Sequence, residues 1–332
     1  MFVRFLKILF VPVAILLFAA WQSGVLAATS DMAIFPVATS TPTSTPTLTP
    51  SPTATSTPTM RPSATPTLPP AATSTPSATA TPPPTSTPVR VSITRPRVDG
   101  LQRTANVPIL MYHYISAPPS PTDLIRVGLS VPPEKFDAQM RMLAEQGYHT
   151  VTLSAVYEYL QNGQALPANP IVLTFDDGYL DNYLFAFPIL KKYGFSGTFF
   201  ILSGPIDTGN PHYLTWDMVS AMSDSGMDIE LHSRDHVDLR NRSNDFLVYQ
   251  LIGGRQTIEA HTGKPIHFMA YPSGKFDAAV LRLLASADFW AAVTTGSGRV
   301  HSLSDALTWT RVRISGQQTI ENFAKELDLY YP

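Results

Sequence analysis

The sequence predicts an α/β fold, an irregular (β/α) barrel of about seven to eight parallel strands set behind a disordered stalk. Three observations predict it. From residue 98 onward, short apolar runs alternate with amphipathic helical stretches, the pattern of parallel strands joined by right-handed crossovers. One run, Ile171-Val172-Leu173-Thr174-Phe175, is apolar or β-branched throughout, as a strand covered on both faces must be. Before residue 98 the chain changes to Thr, Ser and Pro repeats that cannot bury a core. A doubly wound open sheet is the alternative arrangement of the same elements.

The elements follow in order. Residues 1–28 carry Arg4 and Lys7, an apolar run from Ile8 to Ala20, and small residues at Val25, Ala27 and Ala28. This reads as a signal peptide or, because no residue from Ile8 to Ala28 is charged, a membrane anchor. Either reading puts the rest of the chain outside the cytoplasm, extracellular or at the cell surface. Residues 29–97 form a Thr/Ser/Pro-rich linker, stiffened by proline to ~3.1 Å per residue. Residues 98–332 remain for one large folded domain, expected to be a monomer. The formal net charge of −2 gives no reason to expect nucleic acid. The absence of cysteine rules out disulfides, thiolate metal sites and a cysteine nucleophile. Any metal must be held by His, Asp or Glu.

Within the domain, Pro108 to Tyr112 is a short apolar strand, and Glu134 to Gln146 places Phe136, Met140 and Leu143 at helical spacing before Gly147. Thr150-Val151-Thr152 reads as a short strand, with Ser154 capping a helix that stops before Gly163. After the Ile171 strand, Asp181 to Tyr193 is helical despite Pro188. Gly197 to Ile201 and Asp228 to Leu231 are strands, separated by a helix from Trp216 to Asp224 that Thr215 caps. A longer helix runs from Asn244 to His261, weakened by Gly253-Gly254. His267 to Tyr271 is a strand closed by Pro272-Ser273-Gly274. A helix from Asp277 to Ala285, extended segments at Trp290 to Thr294 and Arg311 to Ile314, and an amphipathic helix from Thr319 to Leu329 complete the chain.

In this arrangement, residues just past the strands share one face. That collects His113, Asp176, Asp177, His232, His236 and the Pro272-Ser273-Gly274 turn from four strands. His232-Ser233-Arg234-Asp235-His236 spaces two imidazoles for a metal on a helix or a tight turn. Two imidazoles and one carboxylate suit zinc or a similar divalent ion with a position open for water. The second aspartate is then free to act as general base.

Leu173-Thr174-Phe175-Asp176-Asp177-Gly178 together with His232-Ser233-x-x-His236 resembles the polysaccharide deacetylase family, the NodB-homology domain of carbohydrate esterase family 4. Val107 to His113, Lys191 to Phe195, Gly197 to Phe200 and Tyr271 to Gly274 extend the resemblance, which is greatest to the poly-N-acetylglucosamine deacetylase branch. It implies a metal-dependent hydrolase acting on carbon–nitrogen bonds, which removes N-acetyl groups from an acetylated polysaccharide. Asp176 would be the base; Asp177, His232 and His236 would hold the metal, with zinc the expected ion. Tyr271, Pro272 and Ser273 would form the oxyanion and substrate turn, with the donor the Ser273 N–H. An O-acetyl esterase on xylan or another glycan, or a catalytically impaired wall-binding module, are the alternatives.

Two departures from the family pattern stand out. Ala270 occupies the position of the arginine that supports the base, and the late Leu-x-His that carries the general acid is missing. His113 is the expected replacement acid; His301, in the loop expected after Gly296-Ser297-Gly298-Arg299, is the alternative. Tyr179, Tyr213 and Trp216 are candidates for a sugar groove; Asp235 and Asp238 are candidates for orienting the histidines.

Overall fold

The computed structural model describes residues 99–328. The expected signal or anchor at 1–28 and stalk at 29–97 lie outside the described residues. No described helix is long and apolar enough to cross a membrane.

The strands in chain order are β1 Thr104–Asn106, β2 Ile109–Tyr112, β3 His149–Thr150, β4 Pro170–Asp177, β5 Thr198–Ile201, β6 Asp228–Leu231, β7 Phe268–Ala270, β8 Ala291–Ser297, β9 Val300–Ser302 and β10 Trp309–Arg313. Seven of them close into a parallel barrel: β2 pairs with β4, the ladder passes through β5, β6, β7, β8 and β10, and β10 returns to β2. The barrel reading holds, and the open sheet is excluded by the closing pairs Ile109 with Val172 and Val312 with Leu110. The expected strand at Thr150-Val151-Thr152 shrinks to the two residues of β3, which flank the start of β4 without joining the ring. β1 and β9 form an antiparallel ribbon that periodicity did not reveal.

Alternation along each strand sorts the core into two shells. One set, including Tyr112, Leu173, Phe175 and Ile201, packs beneath the helices; Phe136 of the helix Pro133–Glu145 meets Tyr112 edge-on at 5.2 Å. The other set, Ile109, Val172, Phe200, Phe268, Ala270, Val293 and Trp309, fills the barrel. Helix Leu153–Asn162 closes its amino-terminal end, where Tyr157 stacks on Trp290 at 5.4 Å. That helix is capped by Thr152, whose hydroxyl accepts from Ala155 N at 3.1 Å, rather than by Ser154.

Two helices carry π-helical turns where the sequence showed breakers. Asn182–Ala186 is a π turn leading into the α-helix Phe187–Lys192. Pro188 therefore sits in the first α turn, where its missing N–H costs least. The stretch from Asn244 to Thr262 changes to a π turn at Val248–Gly253 before resuming as α-helix at Gly254. A Cβ on Gly254 would lie 3.0 Å from Leu231 Cδ1 and 3.5 Å from Arg234 N, so glycine lets this helix approach the loop that carries the histidine pair.

Candidate active site

The carboxyl ends of the strands open into a cleft of about 450 Å³ lined by His113, Asp176, Asp177, Tyr179, His232, His236 and Ser273, with Leu124, Ile125, Gly128, Leu129, Thr295 and Arg313 around them. Each functional side chain is placed by the end of a strand. His113 follows β2, and Asn182 Nδ2 holds its carbonyl at 2.9 Å. Asp176 and Asp177 are the last residues of β4. Successive strand residues face opposite sides. At Asp177 the backbone turns to φ 76°, which breaks that alternation and lets both carboxylates serve one cleft. Ser233, His236 and Ser273 also have positive φ, at 69°, 52° and 54°. Such backbone costs of order 1–3 kcal/mol per residue and clusters where geometry matters to function.

The histidines sit on a tight turn, not a helix; His236 N donates to Ser233 Oγ at 3.1 Å. His232 Nδ1 lies 2.8 Å from the Ala270 carbonyl oxygen. A carbonyl can only accept, so Nδ1 carries the hydrogen and Nε2 presents its lone pair. That lone pair faces Asp177 Oδ1 at 3.3 Å, and His236 Nε2 faces the same oxygen at 3.4 Å. Asp177 Oδ1 is buried and has no hydrogen-bond partner. Acceptors gathered this way repel one another until a cation sits among them. Ligands ~2.1 Å from a tetrahedral zinc stand ~3.4 Å apart, the spacing found here. Asp177, His232 and His236 thus fit a divalent ion, and their donor atoms all lie within 4.8 Å of one another. Burial disfavours charge on both imidazoles; the nearby carboxylates reverse this at His232 and raise its pKa, whereas that of His236 stays lowered.

Asp176 shows a feature the sequence reading missed. Burial alone would raise its pKa, but Arg311 holds it well below the usual carboxylate range. The guanidinium grips both oxygens, Nη1 to Oδ1 at 2.8 Å and Nη2 to Oδ2 at 2.7 Å. It is fixed in turn by Nε to the Thr294 carbonyl at 2.9 Å and Nη1 to Thr174 Oγ1 at 3.0 Å. The arginine missing at Ala270 is therefore matched by one from β10. The available signal was a cation at an inward position of the strand-like run Trp309-Thr310-Arg311-Val312-Arg313, which must find an anion inside the barrel.

His113 Nε2 lies 3.8 Å from Asp176 Oδ2, and burial lowers its pKa despite the two aspartates. His301 is corrected: it lies in strand β9, not a loop, and Nε2 is 3.0 Å from the Val107 carbonyl. Val107 precedes β2, so His301 is fully buried at the opposite end of the barrel and cannot reach the cleft. Of the turn after β7, Ser273 lines the cleft. Tyr271 and Pro272 are buried, and the Tyr271 hydroxyl donates to the Leu307 carbonyl at 2.8 Å. Tyr179 reaches the cleft while stacked on Tyr114 at 3.7 Å and tilted against Tyr213 at 5.2 Å. These rings line a neighbouring hollow of about 580 Å³. Trp216 stacks on His261 at 4.0 Å, outside both hollows. Asp235 pairs with Gln250, whose Nε2 donates to Oδ2 at 2.7 Å, and Asp238 with Arg240 at 2.7 Å; neither bonds to a histidine ring.

The polysaccharide deacetylase family model matches residues 163–292, a span that holds Asp176, Asp177, His232 and His236 but neither His113 nor Arg311. YxkH of Bacillus subtilis (strain 168), which carries a polysaccharide deacetylase name, is 30% identical over 214 residues, covering 64% of this chain and 73% of that one. Poly-beta-1,6-N-acetyl-D-glucosamine N-deacetylase of Escherichia coli (strain K12) is 29% identical over 118 residues, 32% of this chain but 17% of that protein's length. Among solved structures, the Streptococcus pyogenes deacetylase PplD, in complex with acetate, superposes with a TM-score of 0.62 at 30% identity, covering 68% of this chain and 97% of that one. On the match to YxkH, and with the barrel and cleft just described, the chain belongs to the polysaccharide deacetylase family.

Proposed function

We propose that this protein is an exported, metal-dependent deacetylase that hydrolyses N-acetyl groups on N-acetylglucosamine-containing glycans. The observation that carries the reading is the meeting of Asp177, His232 and His236, whose ligand atoms lie within 4.8 Å of one another, with an ionised Asp176 beside them. A divalent cation held by those three residues, zinc by donor chemistry, would acidify water and polarise an acyl carbonyl. Asp176 takes the proton of the attacking water. Arg311 occupies one lone pair on each of its oxygens, leaving Oδ2 able to accept on the side of His113. That grip makes Asp176 a weaker base but fixes its direction and keeps it ionised. His113, which faces Asp176 Oδ2, relays to the departing amine the proton that Asp176 takes from water. The Ser273 N–H is assigned to the developing oxyanion, since Ser273 lines the cleft. Arg311 in the role of the usual arginine favours an active enzyme over an impaired wall-binding module.

The test is acetate release from chito-oligosaccharides and poly-N-acetylglucosamine by the purified protein, with xylan acetate as the ester competitor. The reading expects release from an N-acetylated glycan, loss on chelation and recovery on adding zinc. Metal-loaded protein that frees no acetate from any of them contradicts it; release from the ester alone moves the assignment to an O-acetyl esterase.

A further inference from the structure

Among the described residues that line the cleft, Arg313 is a cation that the proposed reaction leaves unused. It ends β10, two residues beyond Arg311 and on the same strand face. The two arginines have opposite fates. Arg311 is wholly buried and tied to Asp176, Thr174 and Thr294. Arg313 is exposed in the cleft, and among the described residues its guanidinium makes no hydrogen bond or ion pair. The nearby Arg126 is also occupied: it stacks over Tyr114 at 3.0 Å and donates to Ser116 and Ser130. The carboxylates of the cleft are committed as well, Asp176 to Arg311 and Asp177 to the histidine pair.

An exposed guanidinium here is solvated by water and needs no partner in the free protein. It lines the same cleft as Asp177, His232 and His236, with Leu124, Ile125 and Leu129 beside it. The same position makes it valuable to an anion. Its planar fork matches a carboxylate or a phosphate oxygen pair. We propose that Arg313 is a specificity-determining residue that selects glycans bearing an anionic group, carboxylate or phosphate, close to the acetylated sugar. This rests on the deacetylase reading, since it names the substrate class of that cleft.

The experiment compares three N-acetylated oligosaccharides with the metal-loaded protein: one carrying uronic carboxylates, its neutral methyl ester, and one carrying phosphate. Binding is measured by calorimetry and turnover by acetate release, for wild type, Arg313→Gln and Arg313→Lys. Wild type is expected to bind an anionic ligand about tenfold more tightly than the ester, with KM following. Whichever anion is favoured identifies the source of the charge. Arg313→Gln should erase the preference with kcat on the ester nearly unchanged, and Arg313→Lys should restore part of it. Equal binding of all three by wild type overturns the proposal. So does an Arg313→Gln variant that keeps the preference, or one that loses turnover equally on ester and anion. Anion-selective binding without any acetate would instead defeat the deacetylase reading and leave the role of Arg313 standing.

Discussion

The two ends of the barrel interior hold the same kind of group and treat it in opposite ways. At the carboxyl end, Asp176 and Asp177 are buried and their pKa values are lowered. At the amino end, Glu230 on β6 is buried and Asp228 half-buried, and their values are raised, Asp228 to about 6. Burial pushes all four upward. The difference is the partner. Asp176 has the forked Arg311 and Asp177 has imidazoles, whereas Glu230 has only the N–H groups of His267 and Phe268 at 3.1 and 2.9 Å, and Asp228 the Thr198 hydroxyl at 3.3 Å. Lys264 adds only a weak downward pull on Asp228. One barrel therefore stores ionised acids where chemistry needs them and protonation-prone acids where strands need pinning.

The sharpest way to break this contrast is Asp176→Asn. Acetate release should fall about 10³- to 10⁴-fold while the fold and the metal content persist, because the amide can still meet Arg311 but cannot accept a proton. A loss below tenfold, read from kcat/KM, would remove Asp176 from the base role. Next in size is Arg311→Met. It leaves a buried carboxylate without its cation, so stability should drop by about 3–5 kcal/mol in denaturant titration at neutral pH. The loss should shrink toward low pH, where Asp176 can take up a proton. Lys at this position should recover charge but not the two-pronged grip, and hence only part of the activity.

At the other end the sign reverses. The folded pKa of Asp228, about 6, lies above the ~3.9 of an unfolded aspartate. Folding favours its neutral form, so stability is fully present below ~3.9 and declines as pH rises through that value to about 6. Asp228→Asn should flatten the decline, raising Tm by a few degrees at pH 7 relative to wild type and little at pH 4. An unchanged pH profile in thermal melts would dissolve the contrast between the ends. The smallest effect belongs to Tyr271→Phe, which should cost about 1 kcal/mol by stranding the Leu307 carbonyl and leave KM for glycan untouched. A raised KM would return Tyr271 to the substrate contacts expected from sequence.

Much of this was legible in the chain itself. The apolar run into Asp176 and Asp177, and the β6 run into His232, announce buried strands ending in chemistry, and parallel topology then brings them to one face. Arg311 was not legible, because its partner lies 135 residues away and the pairing depends on barrel closure. The family pattern also directed attention to Ala270. His301 was misread because Gly296-Ser297-Gly298 looks like loop punctuation, whereas β8 extends through Ser297 and β9 resumes at Val300. The helix Leu124–Leu129, which walls the cleft, is six residues long and too short for periodicity to register.

The central claim is that Asp177, His232 and His236 together hold one divalent ion beside a base that does not bind it. Metal content of purified protein by mass spectrometry, for wild type, Asp177→Ala, His232→Ala and Asp176→Asn, tests it most directly. The account predicts one ion per chain in wild type and in Asp176→Asn, and near-complete loss in the other two variants. Full retention in Asp177→Ala and His232→Ala, with both folded, would contradict it.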